Sequence, residues 1–396
     1  MNILILSPFL PYPLDQGGKI RIYNIIKNMA SAHTITLATL VDDRSTADLG
    51  PLRQFCDEII LVERPARLWP DRLAFFSGND PYNVIRYRCA ELRRELLRLQ
   101  RRKSFDLVQV EFPMMWQYAG LFRVLGTPVV LDAHNIEHYN VRQIGRSAGT
   151  LFWRALYRLE ERRLRRMEEQ AWRECARCFA VSDKERDEIA AVAGDPAKVV
   201  TVPNGVDPER FTFLPRTMTG KNILFLGGMD YIPNLDAARW LLDEVFPLIL
   251  QQEPEAKLQM VGRELWRLKE GASGSSTPGS RQTNPELHEN VPDVLPWFYA
   301  ADLLVVPLRM GAGTRLKILE AMAAGLPVVS TAKGCEGISA SPGVHLLIAD
   351  TGQDFAAAAA SIMHDVELGQ RLAANARHLV QERYTWQQVI DLSGLE

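Results

Sequence analysis

The feature that most constrains this chain is a repeated alternation of short apolar runs with longer helical patterns. The run Asn2–Leu6 is followed by a loop and a helical pattern over Gly18–Ala30. The same order restarts at Asn222–Leu226, with Gly227-Gly228 and a helical pattern over Leu235–Leu250. Short apolar runs that alternate with helices predict parallel strands buried on both faces. The sequence therefore predicts an α/β fold with two doubly wound, Rossmann-like domains.

The other predicted elements continue the alternation. Predicted strands are Thr34–Leu40, Glu58–Val62, Leu107–Val110, Val129–Leu131, Cys178–Val181, Val199–Val202, Lys257–Val261, Leu303–Val306, Pro327–Ser330 and His345–Ile348. Further predicted helices are Val84–Arg102, Thr314–Ala324 and Asp354–Val380. Residues 270–290 are rich in Gly, Ser and Pro and predict a surface loop.

A chain of 396 residues suits two domains better than one. We predict an N-terminal domain over residues 1–205, a C-terminal nucleotide-binding domain over 206–380, and a segment 381–396 that packs back toward the first. Sheets of this kind bind ligands at the carboxyl ends of their strands. Two such edges that face each other would form a cleft for two substrates.

Composition excludes several classes of protein. The formal net charge of −2 gives no field that would attract nucleic acid. Cys175 and Cys178 form a CxxC pair without a second pair, so we expect inert thiols and no zinc site. No apolar stretch approaches the ~18–20 residues of a membrane span. We expect a cytoplasmic protein that can contact the inner face of the cell membrane peripherally.

The first candidate motif is the loop that follows the first predicted strand. Gly17 and Gly18 would let a ligand approach the backbone where a helix N-terminus offers N–H groups to phosphate. Lys19 and Arg21 add positive charge. The GxGxxG fingerprint is absent, which weakens a nicotinamide role. The alternative is a plain turn between strand and helix.

The second candidate motif is the polar run Asp132–His138, which follows the strand Val129–Leu131. Its side chains would stand at the carboxyl edge of the sheet. The spacing is not HExxH and no third metal ligand is evident, so a sugar-binding site centred on His134 is favoured over a metal site. The alternative is a capped surface turn.

The third candidate motif is a glycine-rich loop, Gly311–Thr314, followed by a helix. Arg315 and Lys317 fall in its first turn, where cations oppose the helix dipole unless an anion binds there. The Glu320 carboxylate can accept hydrogen bonds from both hydroxyls of a ribose. The alternative is an ordinary amphipathic helix after a glycine pair.

These segments resemble glycosyltransferase family 4, which has the GT-B fold. The resemblance rests on Val202–Asp207, Asp302–Pro307 and Lys317–Val329. Leu226–Asn234 and Asp132–Glu137 are similar to a subgroup linked to bacterial exopolysaccharide sugar transferases. The motifs occur in family order over nearly the whole chain, and their order is more specific than any one of them.

The resemblance implies roles for individual residues. Glu320 matches the second Glu of the family's paired-Glu motif, which implies ribose binding, and the first Glu would fall at Ala312. His134 matches a histidine that faces the donor sugar. Arg315 and Lys317 are assigned to the diphosphate. The predicted catalytic residues are His134, Lys317 and Glu320, and the predicted donor-binding residues are Gly17, Gly18, Gly228, Gly311, Ala312, Gly313, Thr314, Arg315, Lys317 and Glu320.

The family reaction implies a retaining, metal-independent hexosyltransferase. It would move a sugar from a nucleoside diphosphate sugar to a glycan or lipid-linked acceptor in cell-surface polysaccharide synthesis, with no cofactor. Glu111 is a candidate carboxylate near the acceptor. Two alternatives stay open: a nucleotide-sugar epimerase of the same fold, and a non-catalytic nucleotide-sugar-binding protein, which the missing Glu at Ala312 favours.

The N-terminal half also carries basic helical patterns. Residues 1–200 have 30 basic and 25 acidic side chains, which makes this half the cationic one. The eight basic residues of one stretch are Arg86, Arg88, Arg93, Arg94, Arg98, Arg101, Arg102 and Lys103. Leu92, Leu96 and Leu99 recur there at helical spacing, and Arg154–Arg177 is a second basic stretch. We predict docking on an anionic membrane; the alternative is a leucine stripe in the core and a solvated arginine face.

Overall fold

The computed structural model describes residues 1–65, 75–76, 78–147, 149–214, 221–269, 285–311 and 313–394. The chain divides into two compact units. The first contains Met1–Asn204 and Trp386–Glu396, and the second contains Gly205–Thr385. The sequence predicts boundaries after residues 205 and 380, and the chain changes unit after Asn204 and after Thr385.

Among the described residues, the first unit holds a seven-stranded parallel sheet in the order β3-β2-β1-β4-β5-β6-β7. The strands are β1 (Asn2–Ser7), β2 (Thr34–Val41), β3 (Glu58–Glu63), β4 (Leu107–Glu111), β5 (Val129–Asp132), β6 (Arg177–Ala180) and β7 (Val199–Thr201). The central strands β1, β4 and β5 are buried almost throughout, as parallel strands covered on both faces must be.

The helices of this unit connect its strands. They are α1 (Gly17–Met29), α2 (Leu52–Phe55), α3 (Tyr82–Arg86), α4 (Ala90–Arg102), α5 (Gly120–Arg123), α6 (Glu137–Ser147), α7 (Leu151–Glu174) and α8 (Asp183–Ala193). A 3₁₀ helix, Pro113–Tyr118, follows β4. The strand order reverses between β1 and β4, which puts the loops after these strands at the switch point where such sheets bind ligands.

The described part of the second unit holds a six-stranded parallel sheet in the order β10-β9-β8-β11-β12-β13. The strands are β8 (Asn222–Leu226), β9 (Lys257–Gly262), β10 (Glu286–Glu289), β11 (Leu303–Val306), β12 (Val328–Ser330) and β13 (Leu347–Ile348). The helices are α9 (Ile232–Trp240), α10 (Phe246–Gln252), α11 (Leu295–Ala300), α12 (Leu316–Ala324), α13 (Gly352–His364) and α14 (Val366–Arg383). The switch point lies between β8 and β11.

A final helix, α15 (Trp386–Ser393), belongs to the first unit. It packs against α1 and β7, and its Val389 and Ile390 side chains are buried. Arg177 Nη1 donates a hydrogen bond to the Ser393 carbonyl oxygen over 2.8 Å. The end of the described chain is therefore held by both apolar contact and a charged hydrogen bond.

Several predicted elements are wrong in their bounds, each for a local reason. The predicted loop 270–290 contains the edge strand β10, which pairs with β9 through the backbone while most of its side chains stay exposed. Residues 270–284 lie outside the described residues. The predicted helix Leu235–Leu250 is interrupted by a π turn at Leu241–Val245, just before Pro247, which has no N–H to donate to the helix. Asp365 divides the predicted helix Asp354–Val380 by capping α14.

The leucine stripe of α4 is part of the core. Leu92, Leu96 and Leu99 are fully buried in the first unit, so they offer no apolar face to a membrane. Four of the eight basic residues in the predicted membrane-binding stretch are ion-paired, namely Arg88, Arg98, Arg102 and Lys103. Within the described residues, each helix is too short or too polar to cross a bilayer.

Candidate functional site

Gly17 and Gly18 begin α1, at the carboxyl edge of the first sheet. An ideal Cβ at Gly18 would lie 2.9 Å from Cζ of Phe112 and 3.2 Å from Cζ of Phe9. The glycine therefore lets two aromatic rings close over the start of α1. This packing accounts for Gly18 without a ligand, while Gly17 is exposed.

Arg21 is buried one turn further along α1. Its guanidinium holds both carboxylate oxygens of Asp132, at 2.8 and 3.1 Å, where β5 ends. Nη1 also donates to the Pro203 carbonyl oxygen at 2.9 Å and to Oδ1 of Asn204 at 3.2 Å. The prediction that Arg21 adds charge to a phosphate-binding loop is therefore wrong, because its guanidinium forms a buried ion pair with Asp132.

His134 follows β5 and is held by two neighbours from the end of β4. Its ring stacks on Phe112, with centroids 3.6 Å apart, and its Nε2 lies 2.7 Å from Oε2 of Glu111. Glu111 is fully buried, and burial and the nearby Asp132 charge raise its pKa. Phe112 and His134 both have left-handed backbones, with φ of 66° and 59°. Such conformations persist where surrounding contacts impose them, often at functional sites.

Glu111, Asp132 and His134 bring three possible metal-ligand atoms within 4.8 Å of one another. The expectation that no third metal ligand is evident is therefore wrong, because Glu111 joins Asp132 and His134. The set is already satisfied internally, however, since Arg21 holds both oxygens of Asp132 and Gln109 donates to Glu111 over 2.6 Å. The hydrogen bonds that these carboxylates accept from Arg21 and Gln109 therefore fit a buried ion-pair network better than a site for a divalent cation.

The rest of the polar run begins the helix α6. Glu168 of α7 is fully buried and accepts hydrogen bonds from the backbone N–H groups of Glu137 and His138, over 2.7 and 3.1 Å. Nδ1 of His138 lies 2.6 Å from the same carboxylate. The Glu168 carboxylate thus caps the start of α6. Sequence reasoning missed Glu168 because it lies on another helix.

At the carboxyl edge of the second sheet, glycines permit two strands to approach closely. An ideal Cβ at Gly262 would lie 1.9 Å from the Gly227 carbonyl oxygen. Arg263 follows directly, and its Nη2 pairs with Asp230 over 3.1 Å, beside Gly228. Sequence reasoning missed Arg263, although a cation directly after a strand-terminal glycine was a usable signal.

Lys317 lies at the same edge. Its Nζ donates to the Leu226 carbonyl oxygen at the end of β8 and to Oδ1 of Asn234, 3.4 Å away. Asn234 in turn donates to the Gly228 carbonyl oxygen over 3.0 Å, so the structure brings Lys317 and Gly228 together. Burial and the nearby Arg315 charge lower the pKa of Lys317 to about 7.

The glycine-rich loop before α12 adopts conformations that favour glycine. Gly311 and Gly313 have φ of 110° and 80°, and Nη2 of Arg315 would lie 2.7 Å from an ideal Cβ at Gly311. Thr314 is buried. The helix begins at Leu316, with Arg315 extended before it, so the predicted start at Thr314 is wrong. Ala312 lies outside the described residues.

Glu320 lies on α12, one turn after Lys317, and is half-buried. Burial raises the pKa of Glu320 to about 7, against the opposing charges of Arg210 and Lys317. Arg210 is itself paired with Asp293 over 3.0 Å. Among the described residues, no group donates a hydrogen bond to the Glu320 carboxylate. This carboxylate is therefore desolvated without a close partner.

Two family models match the chain in succession. Residues 16–210 match "Glycosyltransferase Family 4", and residues 220–365 match "Glycosyl transferases group 1". A Klebsiella pneumoniae protein, described as "Uncharacterized 44.6 kDa protein in cps region", is 22% identical over 386 residues. That match covers 97% of this chain and 96% of the relative.

Solved structures share the fold along the full chain. Sucrose-phosphate synthase from Thermosynechococcus elongatus has a TM-score of 0.75 at 17% identity, over 100% of this chain and 98% of its own. Anabaena HepE in complex with UDP-glucose has a TM-score of 0.69 at 16% identity, over 100% and 97%. These likenesses confirm the predicted fold class, and the two family models confirm the predicted family. The chain belongs to glycosyltransferase family 4 and has the GT-B fold of two Rossmann-like domains.

Proposed function

We propose that this glycosyltransferase moves a hexose, with retention of its anomeric configuration, from a nucleoside diphosphate sugar to a glycan or lipid-linked acceptor. The observation that carries the proposal is the pair of opposite charges on α12. Lys317 and Glu320 are both half-buried, and burial moves the pKa of each to about 7. A diphosphate would stabilise the charged form of Lys317, and ribose hydroxyls would donate to Glu320.

The proposed chemistry needs neither a protein nucleophile nor a metal ion. The bond from the sugar C1 to the diphosphate oxygen breaks, the bond from C1 to the acceptor oxygen forms on the same face, and the acceptor proton passes to the diphosphate. Lys317, Arg315 and the amide groups at the start of α12 stabilise the leaving charge.

His134 is proposed to contact the transferred sugar. While Glu111 is ionised it can only accept a hydrogen bond, so Nε2 of His134 carries the hydrogen between them. The proposal assigns the other ring nitrogen, Nδ1, to a hydroxyl of the sugar. The fixed orientation of the ring supports this role, because catalysis requires pre-positioned groups.

The similar proteins support a class of sugar donor and a biological process in which the transfer takes place. The HepE structure holds UDP-glucose, and the Klebsiella relative is described as lying in a cps region. We therefore infer a role in cell-surface polysaccharide synthesis, with UDP-sugars as the first donors to test.

A thermal-shift screen of UDP-, GDP- and ADP-sugars would identify the donor, and product analysis with and without acceptors would test the reaction. We expect stabilisation by one nucleotide class, and transfer to an added acceptor with the anomeric configuration retained. Sugar interconversion without acceptor would favour an epimerase instead. Donor binding without turnover across a broad acceptor panel would favour a non-catalytic binding protein.

A further inference from the structure

An exposed aromatic surface of the first unit lies where α7 begins. Leu151 is 81% exposed, Phe152 64% and Trp153 50%. The rings of Phe152 and Trp153 contact each other edge to face, with centroids 5.6 Å apart. Three consecutive large apolar side chains in water are unfavourable unless another surface covers them.

These residues stand at the end of a helical hairpin. Helix α6 packs along α7, closely enough that an ideal Cβ at Gly145 would lie 2.7 Å from Cβ of Tyr157. Glu168 caps the start of α6, so the hairpin extends from Glu168 to Leu151. The 17 residue steps from Leu151 to Glu168 span about 25 Å at the rise of an α-helix. We call Leu151–Trp153 the hairpin tip.

A row of arginines continues from the hairpin tip along the outward face of α7. Arg154, Arg158, Arg162 and Arg166 are exposed and spaced four apart, which places them in one row on the helix. Leu159, 38% exposed, lies beside this row. At 3.6 residues per turn, Leu151, Arg158, Leu159 and Arg162 fall within an arc of roughly 100°.

The carboxylates of this part of α7 pair with groups outside the arginine row. Glu160 is buried and accepts from the Tyr82 N–H over 2.9 Å, and Glu161 pairs with Arg142 of α6 over 3.8 Å. The outward face is therefore cationic as well as apolar. This combination differs from α4, whose leucines are buried in the core and whose Arg98 and Arg102 are ion-paired.

We propose that the outward face of α7 docks on an anionic lipid surface, with the hairpin tip entering the headgroup region. Aromatic and leucine side chains at one end of a basic helix favour the membrane interface, where long arginine side chains reach the headgroups. Anionic lipid supplies a charge complement to the arginine row. A second copy of the chain is a poorer fit, because a symmetric contact would set one arginine row against the other.

The test measures flotation with vesicles of phosphatidylcholine, alone and mixed with phosphatidylglycerol, in the absence of donor and acceptor. We expect binding only to the mixed vesicles, weakened by salt. The double variants Phe152→Ser/Trp153→Ser and Arg158→Ser/Arg162→Ser should each lose roughly tenfold or more in partitioning. The matched control is the α4 variant Arg93→Ser/Arg94→Ser/Arg101→Ser, which should bind like the parent protein.

All the substituted residues are exposed, so melting temperatures should be unchanged, which separates lost docking from lost folding. Binding that ignores the α7 variants, or that is lost in the α4 control, would overturn the proposal. A dimer in solution that Phe152→Ser/Trp153→Ser dissociates would also overturn it and assign the face to a second copy. Because vesicle binding is measured without substrate, its failure leaves the proposed sugar transfer standing.

Discussion

The buried charges at the carboxyl edge of the first sheet differ in their partners from the two α12 charges at the edge of the second sheet. At the first edge, Arg21, Glu111 and Asp132 are almost fully buried, and each is held by a partner at hydrogen-bond distance. At the second edge, Lys317 and Glu320 are half-buried, and burial has moved the pKa of both to about 7.

This difference distinguishes charged side chains that hold other residues in position from charged side chains that can bind a ligand. A buried charge that already has a well-placed partner supports the fold and gains little from a further ligand. A desolvated charge without a close counter-charge is stabilised when a ligand supplies one. We therefore interpret the first edge as a rigid support for His134 and the second as the surface that recognises the donor.

The largest expected effect tests the first edge. Arg21→Met should lower the free energy of unfolding by about 3–5 kcal/mol, because it leaves the Asp132 carboxylate buried without its partner. Urea denaturation would measure the change. The control is Glu95→Gln, which breaks the more exposed pair with Arg98 and should cost less than about 1 kcal/mol. Similar small losses in both variants would contradict a supporting role for Arg21.

At the second edge, Glu320→Gln should weaken donor binding by about 2–3 kcal/mol, since hydrogen bonds from ribose to a carboxylate are lost. Isothermal calorimetry would measure it, with the exposed Glu367→Gln on α14 as control. The melting temperature should change little, because a neutral amide suits a half-buried position. Unchanged affinity would remove Glu320 from the donor site.

The pH dependence of binding should distinguish the two α12 charges. As pH rises through about 7, Glu320 becomes ionised and accepts ribose hydroxyls, so affinity for a nucleoside should rise. Lys317 loses its proton over the same range, so the additional affinity of a nucleotide sugar should fall. Each change should approach tenfold between about pH 6 and pH 8, because the charged fraction of a group with a pKa of about 7 changes roughly tenfold over that range.

Substitution of Lys317 and Arg315 tests the same assignment of charge to the diphosphate. Lys317→Ala and Arg315→Ala should weaken nucleotide-sugar binding more than nucleoside binding, because the lost interaction is with phosphate. In Lys317→Ala the fall with rising pH should also disappear. Equal losses for both ligands would mean that these side chains serve the fold alone.

The smallest expected effect is that of metal removal. Turnover should be unchanged in EDTA, because Arg21 already holds the Asp132 carboxylate and Gln109 and His134 hold that of Glu111. An activity assay with and without chelator measures this. Loss of turnover that manganese restores would reassign the cluster of Glu111, Asp132 and His134 to a cation and weaken the distinction between the two edges.

The sequence predicts the strands well where both faces are buried. Asn222–Leu226 and Leu303–Val306 have the predicted bounds, because an unbroken apolar run leaves few alternatives. The edge strand β10 could not be predicted, since its polar side chains carry no such signal. The contacts of Arg21 with Asp132 and of Lys317 with Leu226 also escaped prediction. Sequence order indicates that such residues share a sheet edge but not which side chains meet there.

The return of α15 to the first unit makes the second unit an insertion within the first. The chain leaves the first unit after Asn204 and re-enters it at Trp386. A fragment that stopped at Asn204 would uncover the apolar surface that Val389 and Ile390 protect, so it would be prone to aggregate. A chimaera that exchanges the second unit between relatives therefore needs two junctions, one on each side of Gly205–Thr385, and leaves α15 with its native partners.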